Sequence, residues 1–154
     1  MAIPRGGVVT AKTICDDLNL PLGLVIVRKI GHPYNPEYAL AVISESGEIY
    51  GEQDQIQQTD PVWFAKESQN QLKEARRRRH VYWGDRNPIS LKDKVVIIVD
   101  DGLATGLTMM SAIKEVKLQK PKKIVVAVPV SPRDTSEKIK TQVDEFICVN
   151  VPDN

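Results

Sequence analysis

Residues 94–110, Lys-Val-Val-Ile-Ile-Val-Asp-Asp-Gly-Leu-Ala-Thr-Gly-Leu-Thr-Met-Met, say more about fold and function than any other stretch of the chain. The branched apolar run Val95 to Val99 predicts a strand buried on both faces. Two adjacent carboxylates, Asp100 and Asp101, stand where that strand ends. A loop of small residues follows, from Gly102 to Thr108, and a helix is predicted to open at about Met109. Open α/β sheets bind ligands at the carboxyl ends of their parallel strands. A short loop running into a helix offers free N–H groups to a phosphate. Carboxylates beside such a loop suit a ligand that carries both a phosphate and vicinal hydroxyls, as a sugar phosphate does. The competing reading is an ordinary strand-to-helix turn. It leaves two acids unpaired at the end of an apolar strand, which costs stability in the absence of a ligand or metal.

The loop is distinct from two common phosphate binders. No Gly-Lys-Ser/Thr follows its glycines, so it is not a Walker A loop. The spacing Gly102-x-x-x-Gly106 is wrong for a dinucleotide fingerprint. Gly102 and Gly106 can bring backbone amides close to an anion, and Thr105 and Thr108 add hydroxyl donors.

Outward from this loop the chain alternates strands and helices. A short apolar start reaches Pro4-Arg5-Gly6-Gly7, and a helix is predicted over about Val8 to Asn19. Leu22 to Arg28 reads as a buried strand, so strand–helix–strand implies a parallel sheet. Residues 29–38, with Gly31, Pro33 and Pro36, read as a loop. Ala39 to Ser44 and Glu48 to Tyr50 flank Glu45-Ser46-Gly47 as a hairpin. Asp60-Pro61 opens a weakly amphipathic helix to about His80. After the central strand and its helix to Leu118 come a buried strand, Lys123 to Val130, a helix capped by Asp134, and a last strand, Glu145 to Val149. The expected fold is α/β, a doubly wound and mainly parallel sheet flanked by helices. Residues 39–90 form a hairpin and long-helix insertion within a single domain over 1–154.

Composition narrows the function class. A net charge of +1 provides no global field for nucleic acid or membrane. No apolar run approaches a membrane span of about 20 residues, and no signal peptide is evident, so a cytoplasmic protein is expected. Cys15 and Cys148 are too few and too far apart for a disulfide framework or metal cluster, and are expected to be buried, reduced thiols. The run Arg76 to Arg79 is a weak nucleic-acid signal without interleaved aromatics. Cations in the last turn of a helix are favoured by its dipole, so a solvated face is expected, with a phosphate-facing lid or a dimer contact as alternatives. Trp63, Phe64, Tyr82 and Trp83 bracket that helix and can anchor it to the hairpin or to a partner. Both ends read as abrupt: Met1-Ala2-Ile3 resembles the tail of a strand, and the chain stops after an apolar run.

Residues 96–108 resemble the thirteen-residue PRPP motif of type I phosphoribosyltransferases: four apolar residues, two acids, then a small-residue loop. The resemblance implies that Asp100 and Asp101 hold the ribose hydroxyls of 5-phosphoribosyl-1-pyrophosphate (PRPP). It implies that Gly102 also belongs to the PRPP site and that Leu103, Ala104, Thr105, Gly106, Leu107 and Thr108 bind the 5-phosphate through their amides and the Thr105 and Thr108 hydroxyls. Pro4-Arg5-Gly6-Gly7 occupies the place of the family's pyrophosphate loop, with Arg5 suited to phosphate oxygens. Arg28-Lys29-Ile30-Gly31-His32-Pro33 resembles the start of the flexible catalytic loop in adenine phosphoribosyltransferases, which implies that Arg28 and Lys29 face the pyrophosphate. The overall pattern is similar to a Pro-Arg-Gly-Gly branch in which the long helix is an added feature.

By that resemblance the protein is a Mg²⁺-dependent phosphoribosyltransferase acting in nucleotide metabolism on a base-like acceptor, and a homodimer. Asp100 and Asp101 would meet the metal only indirectly. Arg5, Arg28 and Lys29 would stabilise the departing pyrophosphate, while the acids oppose positive charge on the ribose ring. Ala104 stands where 6-oxopurine enzymes carry an Asp, which disfavours that substrate class. No hood is evident, so an acceptor pocket would rest on Val128 to Arg133. The alternative function is a non-catalytic PRPP- or nucleotide-binding regulatory module.

Overall fold

The computed structural model describes residues 1–152. In β4 (Val95–Val99) the side chains alternate, as a strand between two layers requires. Val96 and Ile98 enter one apolar cluster with Ile3, Val25, Val126, Met109 and Ile113. Ile97 and Val99 enter another, with Ala2, Ala11, Leu24 and Ile26. Helix α4 (Leu107–Leu118) covers the first face through Met109, Ala112, Ile113 and Val116, the i, i+3, i+4, i+7 stripe of an amphipathic helix. Helix α1 (Gly6–Leu18) covers the second face through Ala11, with Val8 and Ile14. Helices on both faces of a parallel sheet confirm the α/β class.

The parallel sheet runs β4, β5 (Lys123–Val130), β6 (Glu145–Asn150), with Val95 opposite Lys123 and Val125 opposite Glu145. It continues past β4 through Ala2, bridged in parallel to both Val99 and Leu24. Ile3 N–H donates to the Val99 carbonyl at 3.0 Å and Ala2 N–H to the Gly23 carbonyl at 2.8 Å. A second, antiparallel sheet holds β1 (Val27–His32), β2 (Asn35–Ser44) and β3 (Ile49–Gly51) in that order. Between β3 and β4 lie α2 (Gln53–Gln57) and α3 (Pro61–Trp83), and α5 (Arg133–Lys140) precedes β6.

Several expectations need correction. The apolar run from Leu22 does not form one parallel strand: Leu24 makes a parallel bridge, and a regular strand begins at Val27, antiparallel to β2. Residues 29–38 are not a loop but the end of β1 and the start of β2. Gly31 permits this pairing, since a Cβ there would stand 2.5 Å from the Pro36 carbonyl oxygen. The hairpin of the insertion therefore starts well before residue 39. β4 is fully buried only at Val96, Ile98 and Val99; Ile97 is half-buried and Val95 exposed. Helix α1 starts at Gly6, not Val8, and α3 runs beyond His80 to Trp83 before Gly84 adopts φ 63°. Asp134 lies inside the first turn of α5, where its carboxylate accepts the Thr135 N–H, and Pro132 takes the cap position. The two thiols are free, and half-buried rather than buried.

The Asp60 cap is present: its carboxylate accepts the Trp63 N–H at 2.7 Å. Helix α3 binds the antiparallel sheet through Phe64 and Leu72 against Ile30, Ala41 and Ile43. Tyr82 and Trp83 at its end join the α1-side cluster. Its arginines are largely spoken for. Glu74 pairs with Arg77 and Arg78, whose hydrogen bonds bring its carboxyl down to about 2. Arg79 pairs with Glu45 and donates to the Leu24 carbonyl at 2.9 Å, joining helix, hairpin and parallel sheet. Arg79→Ala strands the Glu45 carboxylate and the Leu24 carbonyl at that junction. A loss of about 2 kcal/mol is expected, below the range for fully buried pairs because both side chains retain some exposure. Urea unfolding monitored by circular dichroism checks it, and an unchanged midpoint contradicts the assigned linkage.

No helix among the described residues is long and apolar enough to cross a membrane.

Candidate functional site

The two glycines after Arg5 lie directly on the two acids after β4. A Cβ on Gly6 would collide with the Asp101 carboxylate. A Cβ on Gly7 would stand 2.8 Å from the Val99 carbonyl oxygen, 2.9 Å from Asp100 Cα and 3.1 Å from Asp100 Oδ1. Only residues without side chains allow α1 to begin on the strand end. The Pro4–Arg5 peptide is cis. Arg5 is exposed, and among the described residues its guanidinium meets no acceptor.

Asp100 is partly buried and Asp101 exposed. Burial pushes the Asp100 carboxyl up to about 6; a hydrogen bond from the Asp101 N–H works against that shift, and the Asp101 charge adds to it. That hydrogen bond, 2.9 Å to Asp100 Oδ1, also orients the carboxylate.

The loop beyond is held at its edges and open at its centre. Leu103 N–H donates to the Val130 carbonyl at 2.9 Å. Thr135 Oγ1 donates to the Ala104 carbonyl at 2.7 Å. Gly106, at φ 79°, caps α4 in the left-handed conformation that glycine favours. Among the described residues the N–H groups of Ala104, Thr105, Gly106, Leu107 and Thr108 meet no protein acceptor. A run of open amides at a helix N-terminus is an anion cradle.

The two cations of β1 part company. Successive strand side chains take opposite faces, and Arg28 turns toward α3, where its Nε donates to Gln71 Oε1 at 3.1 Å. Burial, with Arg78 nearby, lowers its pKa. Lys29 takes the opposite face of the strand and donates to the Glu37 carbonyl at 3.2 Å. Arg28 and Lys29, both expected to face the pyrophosphate, thus each have a protein partner here, Gln71 for Arg28 and Glu37 for Lys29. His32 ends β1, accepting the Tyr34 N–H on Nδ1 at 3.3 Å.

Two further contributors come from outside the motifs. The loop contact of Thr135 crosses 31 residues and leaves no local signal. Tyr82 and Trp83 reach the Arg5 turn from the end of α3, forming with Pro4, Val8 and Arg86 part of the wall of a cleft of about 450 Å³. An aromatic pair just before Gly84 was the available signal.

The phosphoribosyl transferase domain family matches this chain over residues 1–154. The chain belongs to that family. A phosphoribosyl transferase domain is also what the sheet, the acid pair and the open loop describe. The chain is 34% identical over 154 residues to the Mycobacterium tuberculosis protein named "Putative phosphoribosyl transferase Rv0571c", and spans 35% of that relative's length. It is 43% identical over 63 residues to the uracil phosphoribosyltransferase of Mycoplasma genitalium, an alignment covering 39% of this chain and 31% of that one. Among solved structures it resembles the TT1426 protein of Thermus thermophilus, with a TM-score of 0.79 and 35% identity over 99% of this chain and 73% of that one. The purine phosphoribosyltransferase of Pyrococcus horikoshii shares the fold at a TM-score of 0.53 and 22% identity, covering 98% of this chain and 68% of that one.

Proposed function

We propose that residues 1–154 form one domain that transfers the 5-phosphoribosyl group of PRPP to a nitrogen of a nucleobase-like acceptor. The observation that carries this reading is the contact of Gly6 and Gly7 with Asp101 and Asp100, beside five open amides. It supports reading the Arg5 turn as the pyrophosphate turn, Asp100 and Asp101 as acceptors for ribose hydroxyls, and the loop amides as a phosphate cradle, since all three lie at one end of one sheet. In the reaction the bond from C1 to the pyrophosphate oxygen breaks, a C1–N bond forms, and the acceptor nitrogen loses its proton. Positive charge grows on the ribose ring, where Asp100 and Asp101 oppose it, and negative charge on the pyrophosphate, where Arg5 and Lys29 oppose it. Arg28, at the same strand end as Lys29, would join them on release from Gln71.

The donor set fits Mg²⁺ in the usual manner for phosphate substrates. The described residues hold no group of three or more metal-ligating His, Cys, Asp or Glu side chains, and Mg²⁺ ordinarily takes one or two carboxylates plus substrate phosphates and water. Asp100 and Asp101 would hold it indirectly, and it would neutralise pyrophosphate charge. Ala104 leaves no carboxylate in the loop to assist a 6-oxopurine, so another base is the better acceptor. We assign a cytoplasmic homodimer as the setting, following the family resemblance.

The test is pyrophosphate release from PRPP and Mg²⁺ with a panel of bases. Turnover with at least one base, lost in Asp101→Asn, is expected. The exposure of Val130, at the strand end where an acceptor pocket would rest, favours a second reading. That reading is a PRPP- or nucleotide-binding regulatory module. Binding of PRPP that depends on Asp101, without turnover of any base, selects it over the transferase.

A further inference from the structure

We propose that Thr135 is a positioning residue for the donor's 5-phosphate, acting through the backbone of the loop between β4 and α4; this rests on the PRPP reading above. Thr135 sits in the first turn of α5 and is 2% exposed. Its hydroxyl donates to the Ala104 carbonyl at 2.7 Å. A peptide unit is planar and trans, so its C=O and N–H point in opposite directions. Pinning the Ala104 oxygen toward α5 therefore turns the Thr105 N–H away from α5, to the open side where the cradle lies. Thr135 also limits the next turn of the loop through its methyl group. A Cβ on Gly106 would stand 2.8 Å from Thr135 Cγ2, so the methyl packs on the glycine that caps α4.

The same stretch of chain holds the loop at its start, through Val130 to Leu103. Residues 130–135 thus grip the phosphate loop at its beginning, middle and end. They begin with the last residue of β5, at the strand end where an acceptor pocket would rest. The segment that would meet the acceptor is thus also the one that holds the loop amides. Thr135 is where the hydroxyl and methyl of one side chain carry that connection.

Calorimetric titration of the intact protein with Mg²⁺–PRPP, and separately with inorganic pyrophosphate, tests the proposal in Thr135→Val and Thr135→Ser. Val keeps the shape and removes the donor; Ser keeps the donor and removes the methyl. Thr135→Val is expected to weaken PRPP about tenfold, the scale of one buried hydrogen bond, while pyrophosphate, held at the Arg5 turn, binds as in the wild type. Thr135→Ser is expected to restore PRPP binding to within about threefold of wild type, with the hydroxyl bond retained. Wild-type affinity for PRPP in Thr135→Val overturns the assignment and leaves the PRPP reading intact. Equal losses for PRPP and pyrophosphate also overturn it, because they report general disruption. Absence of PRPP binding by the wild-type protein overturns both readings together.

Discussion

Asp100→Asn is expected to raise the melting temperature at pH 7.5 while weakening PRPP by about a hundredfold, the scale of losing a charged acceptor for sugar hydroxyls. Both effects have one source. The folded carboxyl titrates at about 6, pushed up first by burial and further by the Asp101 charge. Its unfolded value is near 4. Between those values the native state holds a proton that the unfolded chain has released, so stability falls as pH rises from about 4 to about 6. Above pH 6 the ionised carboxylate is a standing cost. Allowing for solvent screening of a partly exposed group, that cost is about 1–2 kcal/mol. Asn removes it, which corresponds to a rise of about 2–6 °C. Scanning calorimetry of wild type and variant at pH 4.5 and pH 7.5 reads the difference, and the gain should shrink at the lower pH. An equal gain at both pH values rules out the titration of Asp100 as its source.

Gly7→Ala is expected to cost about 3 kcal/mol, at the upper end for overpacking, and to remove PRPP binding. The added methyl meets backbone on two sides: the Val99 oxygen at 2.8 Å and Asp100 Cα at 2.9 Å. Backbone cannot swing aside as a side chain can. Relief requires α1 to lift off the end of β4, which carries the Arg5 turn away from the acids. Gly6→Ala differs in kind, because its methyl meets the Asp101 carboxylate, the end of a side chain that can rotate. It should retain most stability and lose binding. Guanidinium unfolding of the two variants separates the cases, and equal stability losses would contradict this division.

Features decided within a few neighbouring residues were legible in the sequence. The strand from Val95, its two acids, the glycine loop and the start of α4 all depend on local chemistry, as does the Asp60-Pro61 start of α3. The stretch from Leu22 to Tyr38 misleads in sequence because two sheets share it. Its apolar run continues unbroken while its partners change from Ala2 to β2. Pro33 and Pro36 suggested a loop, but Gly31 accepts the close approach of Pro36, and pairing persists. The direction of Arg28 was within reach, since period-two alternation alone sets it opposite Lys29. What that alternation lacks is the identity of the layer on each side. The Thr135 clamp had no local trace, because the hydroxyl and the carbonyl it meets belong to different βα units.

Ala2 is paired on both sides, to Leu24 and to Val99, partners at very different distances along the chain. The Met1 amine reaches the Ile97 carbonyl across 96 residues of sequence. Closing a loop of that length costs on the order of 4 kcal/mol in chain entropy before any contact rewards it, and such distant pairings slow folding. The Arg5-Gly6-Gly7 turn follows Ala2 immediately and takes its place from that pairing. The loop after β4, by contrast, needs only its own turn and the neighbouring β5–α5 connection. The Arg5 turn is therefore expected to settle on the acids only when the near pairing of Ala2 to Leu24 is joined by the distant one to Val99.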